Sequence, residues 1–211
     1  FSEIVANQLW QEIQLDNSLS EDVKGQQQGI ISGASVKSPS GKSLPVVTWA
    51  SMNSSLDSLA IWPKLGSSTD GIRFIDIEEQ NLISSETQIV VNQVLSDELE
   101  LSVGDSVELG WYVSNEEGRK RVESNVTIFQ IVENEGMANL AGTRSPAIFT
   151  DLSTAQGLQQ YDSELNTVYY ALSDDVDDEG TIEPVLERLG KMFNQTLTAQ
   201  DVGFSLDFEE Q

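Results

Sequence analysis

The chain has 211 residues with 11 Lys and Arg against 35 Asp and Glu, a formal charge of −24, and it contains neither His nor Cys. Without imidazole or thiolate, a Ser-His-Asp triad, a cysteine nucleophile, a haem and any His- or Cys-ligated metal are excluded. The length suits one domain, or two small interleaved ones, with a self-sufficient core, and only carboxylates, hydroxyls and lysines remain as catalysts.

Phe1, Ile4, Val5, Leu9 and Ile13 recur at helical spacing, so an amphipathic helix is under way from the first residue. Asp16 to Gln28 reads as a polar loop. Gly29–Val36 and Leu44–Met52 read as strands flanking a Ser38-Pro39-Ser40-Gly41-Lys42 hairpin turn. Residues 54–70 form a mixed connection that leads to a strand at Ile72–Ile77. A short strand at Thr87–Val91 then runs into a helix with Val91, Val94, Leu95 and Leu99 on one face, ending by Gly104-Asp105.

Val107, Leu109, Trp111 and Val113 alternate with Ser106, Glu108, Gly110 and Tyr112, the signature of a half-buried strand. Val122–Val132 is its hairpin partner across the Asn115–Gly118 turn, and Ala147–Phe149 is a further strand. Ser153 and Gln156 have capping-box spacing for a helix reaching about Tyr161. The last third reads as a β-α-β unit: strand Thr167–Leu172, an acidic loop, helix Thr181–Asn194 with Pro184 in its first turn, and strand Val202–Phe208.

The charge argues against nucleic acid, because phosphate binding needs clustered Lys and Arg. The one basic cluster, Arg119-Lys120-Arg121, follows Glu116-Glu117-Gly118 and reads as a solvated hairpin tip. No apolar stretch approaches the roughly 18 residues of a membrane span, and no signal-peptide pattern is present. The sequence starts at Phe1 without Met, and the expectation is a piece of a longer protein.

With 35 carboxylates, an acid and nucleophile pair cannot be picked out by spacing. Asp174-Asp175-Val176-Asp177-Asp178-Glu179-Gly180 has the acidity of a calcium loop without its alternation of ligands, and reads instead as anions ahead of a helix N-terminus. There is no Ser-x-x-Lys, G-x-S-x-G or phosphate-binding G-x-x-x-x-G-K. No catalytic residue, cofactor site or metal site is therefore assigned. Sequons at Asn53, Asn125 and Asn194 agree with an external location. Of Trp10, Trp49, Trp62 and Trp111, the second and fourth fall in strand patterns and are expected in the core.

The order of motifs in the middle carries a resemblance. Ile89–Leu109, with Asn92, a short helix and Leu101-Ser102-Val103-Gly104-Asp105 before a strand, resembles a segment of the extracytoplasmic domain of MacB/FtsX-like ABC transporter permeases. Phe129–Asn134 is similar to the family's next strand, without its usual glycine. Pro146–Gln156, ending Leu152-Ser153-Thr154-Ala155-Gln156, is similar to its following strand and helix, and Asn166–Leu172 to the strand after that. The ordered match runs from about residue 85 to 211, while residues 1–80 agree in element order.

The resemblance implies an α+β fold in which residues 1–80 and 164–211 form a porter-like α/β subdomain and residues 81–163 a smaller inserted α/β subdomain. It further implies a non-catalytic extracytoplasmic domain, set between two membrane helices of a permease, that relays conformational change or contacts a substrate or partner outside the membrane. The implied partners are the permease's own transmembrane helices, a cytoplasmic ABC ATPase subunit acting indirectly, and a second permease copy. Two alternatives stand beside it: a stand-alone cell-surface binding module, and a carboxylate-based secreted hydrolase, which would need two facing carboxylates with one pKa raised by burial.

Overall fold

A computed structural model describes residues 1–53, 62–67, 69–115, 118–141, 145–160, 163–176 and 179–198. In chain order the elements are α1 (Glu3–Leu15), α2 (Leu19–Asp22), β1 (Val23–Lys37), β2 (Ser43–Met52), α3 (Phe74–Ile83), β3 (Gln88–Asn92), α4 (Gln93–Leu99), β4 (Ser106–Asn115), β5 (Gly118–Val132), a 3₁₀ turn at Met137–Ala141, β6 (Ala147–Asp151), α5 (Leu152–Gln159), β7 (Thr167–Leu172) and α6 (Glu179–Thr198). The chain packs as two units, one from Phe1–Gln28 with Ser163–Gln211 and the other from Gly29–Asp162.

In the first unit, α1 and α6 bury their apolar stripes together. Val5, Leu9 and Ile13 of α1 meet Ile182, Val185, Leu189, Phe193 and Leu197 of α6, with Leu19 and Val23 completing the cluster. α6 starts at Glu179, two residues before the predicted Thr181, so Pro184 lies inside the helix rather than in its first turn as the sequence reading had it. Asp16 ends α1 and starts α2: its Oδ1 accepts from the backbone N–H groups of Ser18 (2.9 Å) and Leu19 (3.0 Å) and from the Ser18 hydroxyl (2.7 Å). These donors, the Leu19 N–H first, hold the Asp16 carboxyl below the usual carboxylate range. Residues 1–3 pair with 163–165: the Glu3 N–H reaches the Ser163 carbonyl at 2.9 Å and the Leu165 N–H the Phe1 carbonyl at 2.7 Å. β7 lies beside β1.

The second unit is a closed barrel. β2 pairs parallel with β6, β6 antiparallel with β3, β3 parallel with β5, β5 antiparallel with β4, β4 antiparallel with β1, and β1 antiparallel with β2, so the sixth seam returns to the first strand. Closure leaves these six strands no free edge within the ring. The interior is filled by the inward-facing set, including Val36, Trp49, Ile89, Val91, Leu109, Trp111, Ile128 and Ile148. Trp49 and Trp111 meet edge to face with ring centroids 5.6 Å apart, so both are core, as their strand positions predict. α3 packs on β6 and β3, and β6 is buried along its whole length.

Packing therefore divides the chain at 28/29 and 162/163, where the sequence reading placed 80/81 and 163/164. Residues 29–52 group with the middle of the chain because β1 and β2 supply the two strands that close the barrel. Three local readings are corrected. Residues 19–28 hold α2 and the start of β1 rather than a loop. Ile72–Ile77 is not a strand, since α3 begins at Phe74, where the Asp76 carboxylate accepts the Arg73 N–H at 2.7 Å. The α5 cap is Asp151, not Ser153: Asp151 Oδ1 accepts from the Thr154 N–H at 2.8 Å and the Ser153 hydroxyl at 2.7 Å. The predicted strand Val202–Phe208 lies outside the described residues.

Candidate interaction surfaces and polar clusters

Glu78 and Asp151 are near enough for the charge of one to act on the other, as a hydrolase pair would be. Glu78 has its pKa pushed up, first by desolvation and then by the negative charges of Asp151 and Glu79. Asp151 is only 1% exposed, however, and both of its oxygens are engaged. Oδ1 caps α5, and Oδ2 accepts from Asn81 Nδ2 at 2.8 Å. Asn81 in turn accepts the Gln88 N–H at 2.6 Å and donates to the Gln88 carbonyl at 3.1 Å. The cluster braces α3 against the start of β3 and the end of β6, and Asp151 has no face turned to a substrate. Of the acidic run, Asp174 and Asp175 are the central residues of a turn closed by the Val176 N–H on the Ser173 carbonyl at 2.9 Å. No group of three or more metal-binding side chains occurs among the described residues.

Asn92 is a second buried polar centre, with 0% exposure. Its Oδ1 accepts from the Leu95 and Ala147 N–H groups at 3.1 and 3.0 Å, and its Nδ2 donates to Asn134 Oδ1 and the Ser145 carbonyl, both at 2.8 Å. All four hydrogen-bonding capacities of the amide are used, joining the end of β3, the start of α4 and the entry to β6.

The β4–β5 ribbon carries the basic cluster. Arg119 lies over the Tyr112 ring at 4.4 Å, and Arg121 pairs with Glu123 at 3.0 Å and donates to the Ser35 hydroxyl at 3.3 Å. Three cations stand among three nearby glutamates in sequence, Glu116, Glu117 and Glu123, so the local charge is balanced. Asn125 is exposed on β5 opposite Glu108, Asn194 is exposed on α6, and Asn53 follows β2.

The outward face of α1 differs from the acidic remainder. Ile4 is 76% and Leu15 83% exposed, and Asn7, Gln8, Gln11 and Gln14, also exposed, are all uncharged. Ile4 and Leu15 are eleven residues apart, three helical turns, and so share one side. The same helix is tied to β1 by a polar cluster that the sequence reading missed. Gln26 Nε2 donates to the Ala6 carbonyl at 2.9 Å and to Tyr170 Oη at 3.1 Å, and Gln28 Nε2 donates to Asn7 Oδ1 at 2.7 Å and Gln26 Oε1 at 2.9 Å. Tyr170 is flanked by Trp10 and Phe193, with centroids at 6.4 and 5.5 Å. Burial pushes its phenol up to about 12 against the opposing Gln26 hydrogen bond.

No model of a known protein family matches the chain, and no curated protein matches it in sequence. Among solved structures, the extracellular domain of the ABC-type transporter YknZ from Gram-positive bacteria is similar with a TM-score of 0.50 at 10% identity, covering 92% of this chain and 83% of that one. The chain shares its fold with that extracellular domain. The periplasmic region of MacB from Actinobacillus actinomycetemcomitans is also similar, with a TM-score of 0.48 at 12% identity over 97% of this chain and 85% of the other. The α+β class implied by the sequence resemblance is the class of the YknZ-like fold found here. No helix among the described residues is long and apolar enough to cross a membrane.

Proposed function

We propose that the chain is the extracytoplasmic domain of an ABC transporter permease of the MacB/FtsX type, and that it acts without catalysis by relaying conformational change or by contacting a partner outside the membrane. The observation that carries this reading is the YknZ-like fold, which extends over nearly the full length of both chains. The internal arrangement supports it: segments 1–28 and 163–198 build one unit, as a domain carried between two membrane helices requires, while the barrel forms an excursion from it. Asp151, engaged in capping α5 and in bracing α3 through Asn81, favours this over a carboxylate hydrolase. In this role the domain's partners are the permease's own transmembrane helices, a second permease copy, and a cytoplasmic ABC ATPase that acts on it only through those helices.

The test is isolation of the encoded protein from its native membrane in mild detergent. An ATP-binding-cassette subunit should co-purify, and residues 1–211 alone should show no heat of ATP binding in titration calorimetry with Mg²⁺. Recovery of the protein without such a subunit, or micromolar ATP binding by the isolated chain, would sink the reading.

A further inference from the structure

We propose that Gln26 and Gln28 form a clamp that fixes α1 in a single axial register on β1, so that helix and strand move as one piece. This deepens the relay reading above and rests on it for its purpose, because a displacement of α1 must enter the domain through some stiff connection.

The contacts of α1 are of two kinds. Val5, Leu9 and Ile13 pack in an apolar cluster, and such contacts are non-directional and tolerate sliding. The bonds from Gln26 to the Ala6 carbonyl and from Gln28 to Asn7 are directional, at 2.9 and 2.7 Å. A slip of α1 by one residue moves the helix about 1.5 Å along its axis and turns it by about 100°, so the Ala6 carbonyl and the Asn7 side chain no longer face the same glutamines. Gln28 is 6% exposed, so water cannot readily replace the lost partner. The two amides are also tied to each other, and Gln26 is tied to Tyr170 on β7, so neither can rotate to follow the helix.

A run of three glutamines is a poor choice for a strand on propensity alone. The amides supply directional bonds instead, and apolar side chains in their place would take these bonds from Asn7 and Tyr170. β1 continues without interruption from Val23 to Lys37. Its clamped residues are thus the start of a strand whose later residues close the barrel.

Hydrogen exchange followed by mass spectrometry on residues 1–211 tests the clamp, comparing the native sequence with Gln26→Leu/Gln28→Leu. Peptides covering α1 should exchange about ten-fold faster or more in the variant, the loss of roughly one to two buried hydrogen bonds, while peptides covering β3 to β6 stay unchanged. Exchange in α1 within about two-fold of native, or acceleration spread evenly over the chain, overturns the proposal. Should the double variant fail to fold, Tyr170→Phe decides. It keeps the ring packing and removes one acceptor, and α1 and residues 23–28 should still exchange several-fold faster, with no change there counting against the clamp. Because the measurement uses the isolated chain, its outcome stands apart from the transporter reading, which co-purification tests separately.

Discussion

The indole N–H of Trp49 donates to the hydroxyl of Thr150 at 2.9 Å across the parallel seam between β2 and β6, and the Ser51 hydroxyl joins the same oxygen at 2.7 Å. All three residues are fully buried. Thr150→Val keeps the volume and leaves the indole N–H and the serine hydroxyl unpartnered inside the barrel. Stability should fall by roughly 1–3 kcal/mol, read by urea denaturation monitored by tryptophan fluorescence, whereas Thr150→Ser should lose less than half as much.

Gly136 has φ +56, and a Cβ there would lie 2.2 Å from the Lys64 carbonyl oxygen, which accepts the Met137 N–H at 2.9 Å. Gly136→Ala therefore strains the backbone and separates the segment around Leu65 from the 3₁₀ turn, costing about 2 kcal/mol or more. Gly33→Ala, where a Cβ meets nothing within 4 Å, is the matched control and should change the midpoint of thermal unfolding little.

Tyr170 sets an alkaline limit. Its phenol titrates near 12 when folded against an ordinary value of 10.0, so the folded state favours the neutral form. The stability from this preference is complete below pH 10 and is lost as the pH rises toward 12, amounting to roughly 2–3 kcal/mol. Absorbance at 295 nm should show one tyrosine titrating late, and Tyr170→Phe should remove that step.

Glu78 works in the acid range with a raised pKa. Its contribution is present below the ordinary glutamate value and lost as the pH rises through the higher folded value. Glu78→Gln should therefore leave stability unchanged at pH 3 and increase it slightly at pH 7, by about 0.5 kcal/mol at most, since the group is partly solvated. Melting curves at the two pH values check the sign.

The legible parts of the sequence were those where one element settles its own pattern. The alternation of Val107, Leu109, Trp111 and Val113 placed a strand and its buried face, and the spacing of Ile182, Val185, Leu189 and Phe193 placed α6 on its core. The failures had non-local causes. Gln26–Gln28 read as loop because their partners, Ala6, Asn7 and Tyr170, come from other elements. Ile72–Ile77 mimicked alternation although only Phe74 and Ile77 of α3 turn inward, at helical spacing. Closure of the barrel depends on β1 finding both β2 and β4, a pairing of residues 35–37 with 108–110 that no local pattern encodes.

The central claim is that these residues lie outside the cytoplasm as part of a transporter permease. The chain has no cysteine, and Gln11 is exposed on α1, so Gln11→Cys introduces a single thiol into it. Intact cells expressing the encoded protein with this substitution are treated with a membrane-impermeant maleimide, alongside permeabilised cells. Position 11 should be labelled equally in both. Labelling only after permeabilisation would contradict the claim.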